Sequence, residues 1–481
     1  MRLMLFFAAT VCLAIGCRSA ETAFHAKNTA GEGVVTTTEP LASDEPPSSF
    51  TVEALVQMGL ANSPKIREAK HRFRALKNKI PQELSLPDPI VSTTTHLSPV
   101  ETAAGRQAFS LGISQKVVDA ERRASRASIV EKEVQAAKAE IEDAKISVAE
   151  QIRVASYQLL AIQATLQITK EDLNSLSQIE EVVLRQYEVN RSVSQQDVLQ
   201  IQIESSKVEN QLAELRQKEK SYFARLARLI HFDTGTQFVI SDSLQHDADV
   251  GATDELITKA LERHPRLSAQ YSRVQRDQEK ICLAQLQNRP DFTVGLNWIA
   301  TSSNGISPVA NGDDALLLGI GFDLPIRKER IAAASCEAKE TSLASSAKME
   351  AIQDEVAESV FDSMAKLESN GSMLTLLRED MIPKAERSLE LTREEYATGN
   401  LNFVELIGAW RALLRYRVSL ATLQAQRLQL LANLARQIGQ VEPLHSQSLV
   451  DNNEPETLSE TTGIVRPAVE SPEPGSAEIK E

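Results

Sequence analysis

A chain of 481 residues has room for two or three ordinary domains or for one elongated architecture. It is 42% apolar, 25% charged and only 4% aromatic, a mix that favours long helices over a compact α/β enzyme. A formal net charge of -14 at pH 7 makes a phosphate backbone an unsuitable partner, which argues against nucleic-acid binding.

At the amino terminus Arg2 is followed by an apolar run, Leu3 to Ile15, and then Gly16-Cys17. The run is too short to anchor a helix across a bilayer, and its basic start and small terminal residue make 1–16 a signal peptide. The stretch Ala14-Ile15-Gly16-Cys17 resembles a bacterial lipobox, with Cys17 as the lipidated first residue of the exported chain. Ala14 stands where leucine is usual, so ordinary cleavage is the alternative. No later run reaches the roughly 18 apolar residues of a transmembrane helix. Residues 17–50, rich in Thr, Ser, Pro, Glu and Ala, read as a flexible tether.

The rest is a duplication. A first unit, 51–231, comprises a helix over 51–84, strands over 89–97 and 107–117 joined by a polar loop, a helix over 119–189, a turn, and a helix over 194–231. A linker, 232–252, leads to a second unit, 253–440, with a helix over 253–287, strands over 291–300 and 315–325, a helix over 327–397, a turn, and a helix over 402–439. Leu55, Leu60, Pro64 and Ile66 recur 201 residues later as Leu256, Leu261, Pro265 and Leu267. Further along, Pro87-Asp88 recurs as Pro290-Asp291, Leu111-Gly112-Ile113 as Ile320-Gly321-Phe322, and Tyr187-Glu-Val-Asn190 as Tyr396-Ala-Thr-Gly399. Conserved order with a slowly drifting offset marks a true repeat. Each long helix spans about 105 Å at about 1.5 Å per residue, and the two shorter helices of a unit together span the same. Residues 441–481 form an acidic, proline-bearing tail predicted to be disordered.

The helices read as coiled-coil partners. Ile201, Val208, Leu215, Tyr222 and Leu229 are spaced by seven, with Leu212 and Leu226 beside them. Leu406, Leu413 and Leu420 run alongside Ile407, Leu414, Ala421 and Leu428. Heptads alone also fit an ordinary rod. The strands argue against one: Phe109, Leu111 and Ile113 alternate with Ser110, Gly112 and Ser114. Phe292, Val294, Leu296 and Trp298 alternate with Thr293, Gly295 and Asn297, and Leu316 to Leu324 behave alike. A half-buried soluble sheet and a membrane barrel strand share this pattern. Export, and the lack of any element to cover the apolar face, favour the barrel. Four strands cannot close one, and an open edge in lipid is prohibitive, so several chains must share it; three would supply twelve strands. Trp298 then reads as an interfacial belt aromatic. Of four cysteines, Cys12 leaves with the signal. Cys282 and Cys336 have no metal-ligand spacing; a disulfide between them is conceivable, but two buried free thiols are expected. No phosphate loop, nucleophile with its base, or metal cluster is legible, so neither enzyme activity nor a cofactor is expected.

The stretches Leu60-Ala-Asn-Ser-Pro64, Tyr187 through Leu199, and Tyr396 through Leu406, in this order and duplication, resemble the TolC family of outer-membrane efflux proteins over about 51–440. The resemblance implies a mainly α fold with a membrane β-barrel part. In that fold a homotrimer forms a twelve-stranded barrel in outer-membrane lipid, continued by an α-helical coiled-coil tunnel through the periplasm. It also implies docking to a periplasmic adaptor of the membrane-fusion type and to an inner-membrane efflux pump of the RND type. The tip turns would be Tyr187, Asn190 and Arg191 in one copy and Tyr396 and Gly399 in the other. Gly399 suits a tight reversal because it takes φ > 0 without cost, and Asn190 is next best. Position by position, Asp197 matches an aspartate that bonds the tyrosine matching Tyr396 and closes the tunnel. Glu405 matches the first of two acidic constriction positions, where three copies would form a carboxylate ring favouring cations. The second position is Gly408 here, and the arginine of some members' second turn is Leu401, so those two contacts are missing. The competing reading is a lipid-anchored periplasmic coiled-coil adaptor or scaffold without a barrel. Neither the cargo nor the particular adaptor and pump is legible.

Overall fold

The structure, a computed structural model, describes residues 49–190, 194–233, 239–244, 250–309, 311–398 and 400–444. The signal peptide, Cys17, nearly all of the tether, Arg191, Gly399, parts of the linker, and the tail beyond 444 lie outside the described residues. In chain order the elements are α1 (Val52–Asn62), α2 (Pro64–Leu84), β1 (Ile90–Thr102), β2 (Gly105–Val117), α3 (Ala120–Asn190) and α4 (Gln195–Ile230). The second copy gives α5 (Thr253–Arg263), α6 (Pro265–Leu286), β3 (Phe292–Thr301), β4 (Ala315–Phe322), α7 (Lys328–Leu376), a π-helical turn (Leu377–Met381), α8 (Ile382–Ala397) and α9 (Phe403–Ile438).

The expected single helices over 51–84 and 253–287 are each two helices. Proline is tolerated at the first helical position, but its ring drives the preceding residue out of the α region. Ser63 accordingly sits at φ -58, ψ 122 and His264 at φ -65, ψ 120. The repeat kept the prolines because it keeps the break. The long helix of the second copy is also interrupted. Pro383 has no N–H to donate, and its ring would strike the carbonyl four residues back. The turn before it widens, so that Ile382 N–H bonds Leu377 O in the π pattern. In the first copy α3 runs 71 residues without a break, about 106 Å at about 1.5 Å per residue.

The four strands form one antiparallel sheet in the order β1-β2-β3-β4. The copies meet at the β2–β3 pairing, where Leu111 faces Trp298 and Ile113 faces Leu296, leaving β1 and β4 as edges. The polar loop expected after residue 97 is instead strand, closed by a two-residue turn at Ala103-Ala104. Pro99 lies within β1 at a register shift between Thr95 and Val100. A proline is acceptable there because β1 is an edge strand. The helices form a similar row. In the upper half α3 packs between α2 and α6, and α7 packs on α6. Towards the tip α3 packs between α4 and α9, and α9 packs against α7 and α8.

Among the described residues, two of the apolar clusters that hold the row matter most here. One, at mid-height, joins Leu256, Ala260, Val356, Val360, Leu434 and Ile438. The other, at the tip, joins Leu176 and Val183 of α3, Ile201 and Val208 of α4, Tyr396 of α8, and Phe403, Leu406, Ile407 and Trp410 of α9. Full burial of a side chain such as Ile201 or Leu406 contributes about 2 kcal/mol. The α4 seam departs from the strict heptad. Tyr222 and Leu229 are only half-buried, whereas Phe223 and Ile230 enter the core, because a straight helix drifts ahead of a seven-residue repeat. Cys282 and Cys336 are unpaired, as expected, but exposed in the protomer rather than buried; each falls on the solvent side of its helix.

Candidate functional site

The sheet carries most of its apolar residues on one uncovered face. Across the strands this face aligns Val91 with Ile113, Leu111 with Trp298, and Leu296 with Leu318. Leu318 and Ile320 keep 69% and 66% of their surface exposed. The opposite face is mostly small and polar, with Ser110, Gly112, Ser114, Gly295, Asn297, Gly319 and Gly321, and carries Ile90, Ile299 and Leu317 as its apolar exceptions. Trp298 packs edge-on to Phe109, with ring centroids 6.3 Å apart, and its Nε1 donates to Asp314 Oδ2 at 3.2 Å. An apolar body with a bonded polar end suits a residue placed near a membrane boundary.

Where sheet meets helix, ionic contacts tie the two copies. Arg122 Nη1 donates to Asp291 Oδ1 at 2.8 Å, and its Nη2 donates to the carbonyls of Leu286 and Arg289. Lys116 bridges Asp291 and Asp323 at 3.4 and 3.0 Å, and Arg289 pairs with Asp119 at 3.0 Å. No described helix is long and apolar enough to cross a membrane.

At the tip Asp197 and Glu405 occupy equivalent places, the third residue of α4 and of α9. Ser194 Oγ accepts from Asp197 N–H, while the Asp197 carboxylate accepts from Ser194 N–H and Oγ–H at 3.0 and 2.8 Å. Asn402 Oδ1 accepts from Glu405 N–H at 3.0 Å, and its Nδ2 lies 3.4 Å from Glu405 Oε1. These are reciprocal helix caps. Asp197 therefore uses its carboxylate locally, and the structure draws no bond from it to Tyr396. The Tyr396 ring is buried at 5% exposure against Phe403. Its hydroxyl has no hydrogen-bond partner among the described residues. Burial, and then the nearby charge of Asp197, push its pKa up to about 12. Tyr187, its counterpart, is 41% exposed. Asn190, expected as the reversing residue, is still helical and ends α3. Glu405 is exposed, and a side chain at Gly408 would meet nothing within 4 Å. Leu401 is half-buried.

Other tip residues bring the copies together. Gln186 Nε2 reaches the carbonyls of Tyr396 and Ala397 at 3.5 and 3.3 Å, satisfying the end of α8 from α3. Glu204, 6% exposed on α4, accepts from Arg411 of α9 through Nε at 3.2 Å and Nη2 at 2.6 Å, and from Lys207 at 2.7 Å. Burial alone would raise its pKa, but the bonds from Lys207 and Arg411 hold it below the ordinary value. One sequence signal could have found Glu204. It lies three residues after Ile201 and four before Val208, so it places a carboxylate on the apolar face.

Residues 55–230 and 256–440, the two copies, match the model of a family described as Outer membrane efflux protein. No curated sequence relative matches. Solved structures resemble the fold. The outer membrane protein VceC of Vibrio cholerae is 17% identical with a TM-score of 0.67, over 81% of this chain and 96% of that one. A membrane protein from Pseudomonas aeruginosa is 17% identical with a TM-score of 0.69, over 82% and 92%. CusC is 18% identical with a TM-score of 0.68, over 82% and 92%. The long-helix and strand-pair architecture is theirs throughout.

Proposed function

The chain belongs to the outer membrane efflux protein family, and from that premise we propose that it is the outer-membrane exit duct of a tripartite efflux system. It conducts substrates passively from an inner-membrane pump of the RND type and a periplasmic adaptor. The observation that carries this reading is the uncovered apolar face of a four-stranded sheet with two open edges. In water such a face and such edges are costly; in lipid the face is stable, but only if the edges pair. The edges lie on opposite flanks of the protomer, β1 with α2 and α4, β4 with α7 and α8. A head-to-tail contact therefore closes a ring rather than a two-fold pair, and three copies give twelve strands. The helix flanks support the same contact. Leu199 and Ile203 on α4, and Leu376 and Leu391 on α7 and α8, are exposed apolar residues awaiting a neighbour.

In this reading the polar sheet face lines the lumen, Cys17 carries the lipid anchor, and the tips of both copies form the periplasmic constriction. Three copies of Glu405 make the cation-favouring ring. A Tyr396–Asp197 bond in the closed tunnel requires Asp197 to give up its cap to Ser194. The test uses the Cys17→Ser protein, which lacks the anchor. It should fractionate with outer membrane, require detergent, and run as a heat-labile trimer. A monomer soluble without detergent would overturn the duct and favour the lipid-anchored scaffold. In planar bilayers Glu405→Gln should lower cation preference; unchanged selectivity removes the ring.

A further inference from the structure

The apolar stripe of β4 does not stop with the strand. Leu316, Leu318, Ile320 and Phe322 are followed at the same alternation by Leu324 and Ile326, 66% and 78% exposed. Phe322 ends the strand; Leu324 and Ile326 follow in a turn-bearing link, with Ile326 N–H donating to Leu324 O and Lys328 N–H to Ile326 O, that carries the apolar stripe to the start of α7. Directly after the stripe come Arg327, Lys328 and Arg330, at the start of α7. All three are exposed, and none forms an ion pair among the described residues. Glu329 is the one acid among them. The first copy does the opposite at the equivalent positions, where Val118, Asp119 and Glu121 stand. There Asp119 and Glu121 both pair with Arg289, and the neighbouring Arg122 is turned inward onto Asp291.

Resting on the duct reading, we propose that Leu324, Ile326, Arg327, Lys328 and Arg330 form a binding site for anionic phospholipid in the periplasmic leaflet. Leu324 and Ile326 contact the acyl chains, and the three cations contact the headgroup phosphate. Cations at the end of an apolar band meet the headgroup layer without leaving their apolar stems in water. Each exposed Lys or Arg beside an anionic surface adds about fivefold to partitioning, an effect weakened by salt. The site occurs once per protomer, because at the positions equivalent to the three cations the first copy has Val118, Asp119 and Glu121, the two acids both paired with Arg289. A ring of protomers would carry it at each β4 edge.

The experiment titrates the purified full-length trimer in neutral detergent with phosphatidylglycerol or phosphatidylcholine and counts bound lipids by native mass spectrometry. The wild type should retain phosphatidylglycerol in preference. The combined Arg327→Gln, Lys328→Gln and Arg330→Gln variant should lose that preference by about tenfold or more. Removing three exposed tunnel cations instead, Lys348→Gln, Arg378→Gln and Arg393→Gln, should leave it intact. If the triple variant does not assemble, Arg327→Gln and Lys328→Gln singly should each give a partial loss. Excess inorganic phosphate should not displace the lipid; displacement would reduce the site to a simple anion site and overturn the proposal. The proposal also fails if the wild type shows no preference or if the triple variant keeps it. A third failing outcome is that Asp88→Asn and the triple variant weaken the trimer alike with no change in lipid, which would mean the cations pair with Asp88 of the next copy. A chain that forms no detergent-requiring trimer refutes the duct itself. A trimer indifferent to phosphatidylglycerol refutes only this site.

Discussion

The two repeats share their break points and differ in how they tolerate them. Both kink at a residue before proline, Ser63 and His264, and both end their last helix on a left-handed residue. In the second copy that residue is Gly439 at φ 80; in the first it is His231 at φ 61. The first copy's long helix is unbroken, while the second carries a π turn ahead of Pro383. Duplication thus preserved the positions where the chain must bend and left each copy to meet the bend with different residues. The difference can be tested by substituting at matched positions.

Gly439 should be the most sensitive. A Cβ there would lie 2.9 Å from the carbonyl oxygen of Arg263 and 3.3 Å from the Cα of His264, at a φ that L-residues avoid. Gly439→Ala should cost about 2–3 kcal/mol, combining the left-handed penalty with a backbone clash. Thermal unfolding followed by far-ultraviolet circular dichroism reads it. A shift no larger than that of an exposed alanine substitution would show that the α9 end and the α5–α6 kink do not depend on one another.

The next effect is at the tip, where the copies are tied by a buried charge. Glu204→Ala should cost about 2 kcal/mol, because Arg411 and Lys207 lose their acceptor and a buried bond is removed. Since Glu204 titrates below its ordinary value in the fold, its contribution is fully present above about pH 4.5. It is lost as the pH falls through the lowered native value. Wild type should therefore loosen at the tip only on acidification below about pH 4.5, while Glu204→Gln should show little further change. Hydrogen exchange in α4 and α9 measures both, and an identical acid response in the two proteins would assign the sensitivity elsewhere.

Helix ends were largely legible because they are written locally. Ser194 and Asn402 announce α4 and α9, and the strand alternation places β2 and β3 almost residue for residue. The kinks were not legible as kinks, since proline at a first helical position looks harmless and its effect falls on Ser63 and His264. The first strand was expected to end at residue 97, but edge position, a property of the whole sheet, lets it continue through Pro99 to Thr102. The tip was legible only in part. Tyr396, Asp197 and Glu405 stand in motifs, whereas Glu204 and Arg411 are separated by 207 residues. Their pairing is a result of how α4 and α9 meet across α3.

His231→Gly tests the comparison in the opposite direction. Glycine removes the left-handed penalty at the end of α4, partly offset by the entropy it adds to the unfolded chain. The expected gain is about 0.5–1 kcal/mol. A loss instead would mean that the imidazole makes a contact which matters more than the backbone.

The smallest effect discriminates most. The Tyr396 hydroxyl is buried, desolvated and without a hydrogen-bond partner among the described residues, so Tyr396→Phe removes a group that makes no stabilising bond to them. The change should lie between zero and a gain of about 1 kcal/mol, with single-channel conductance unaltered. Tyr187→Phe, at the exposed counterpart, should be silent within about 0.5 kcal/mol. If instead Tyr396→Phe destabilises the trimer and raises conductance while Tyr187→Phe does neither, the hydroxyl must find an acceptor in the assembled tunnel. Asp197, whose charge already acts on Tyr396, would be that acceptor. Its cap to Ser194 would then be the contact exchanged between the closed and open tip, and Ser194→Ala, by freeing the carboxylate, should lower conductance in a Tyr396-dependent way.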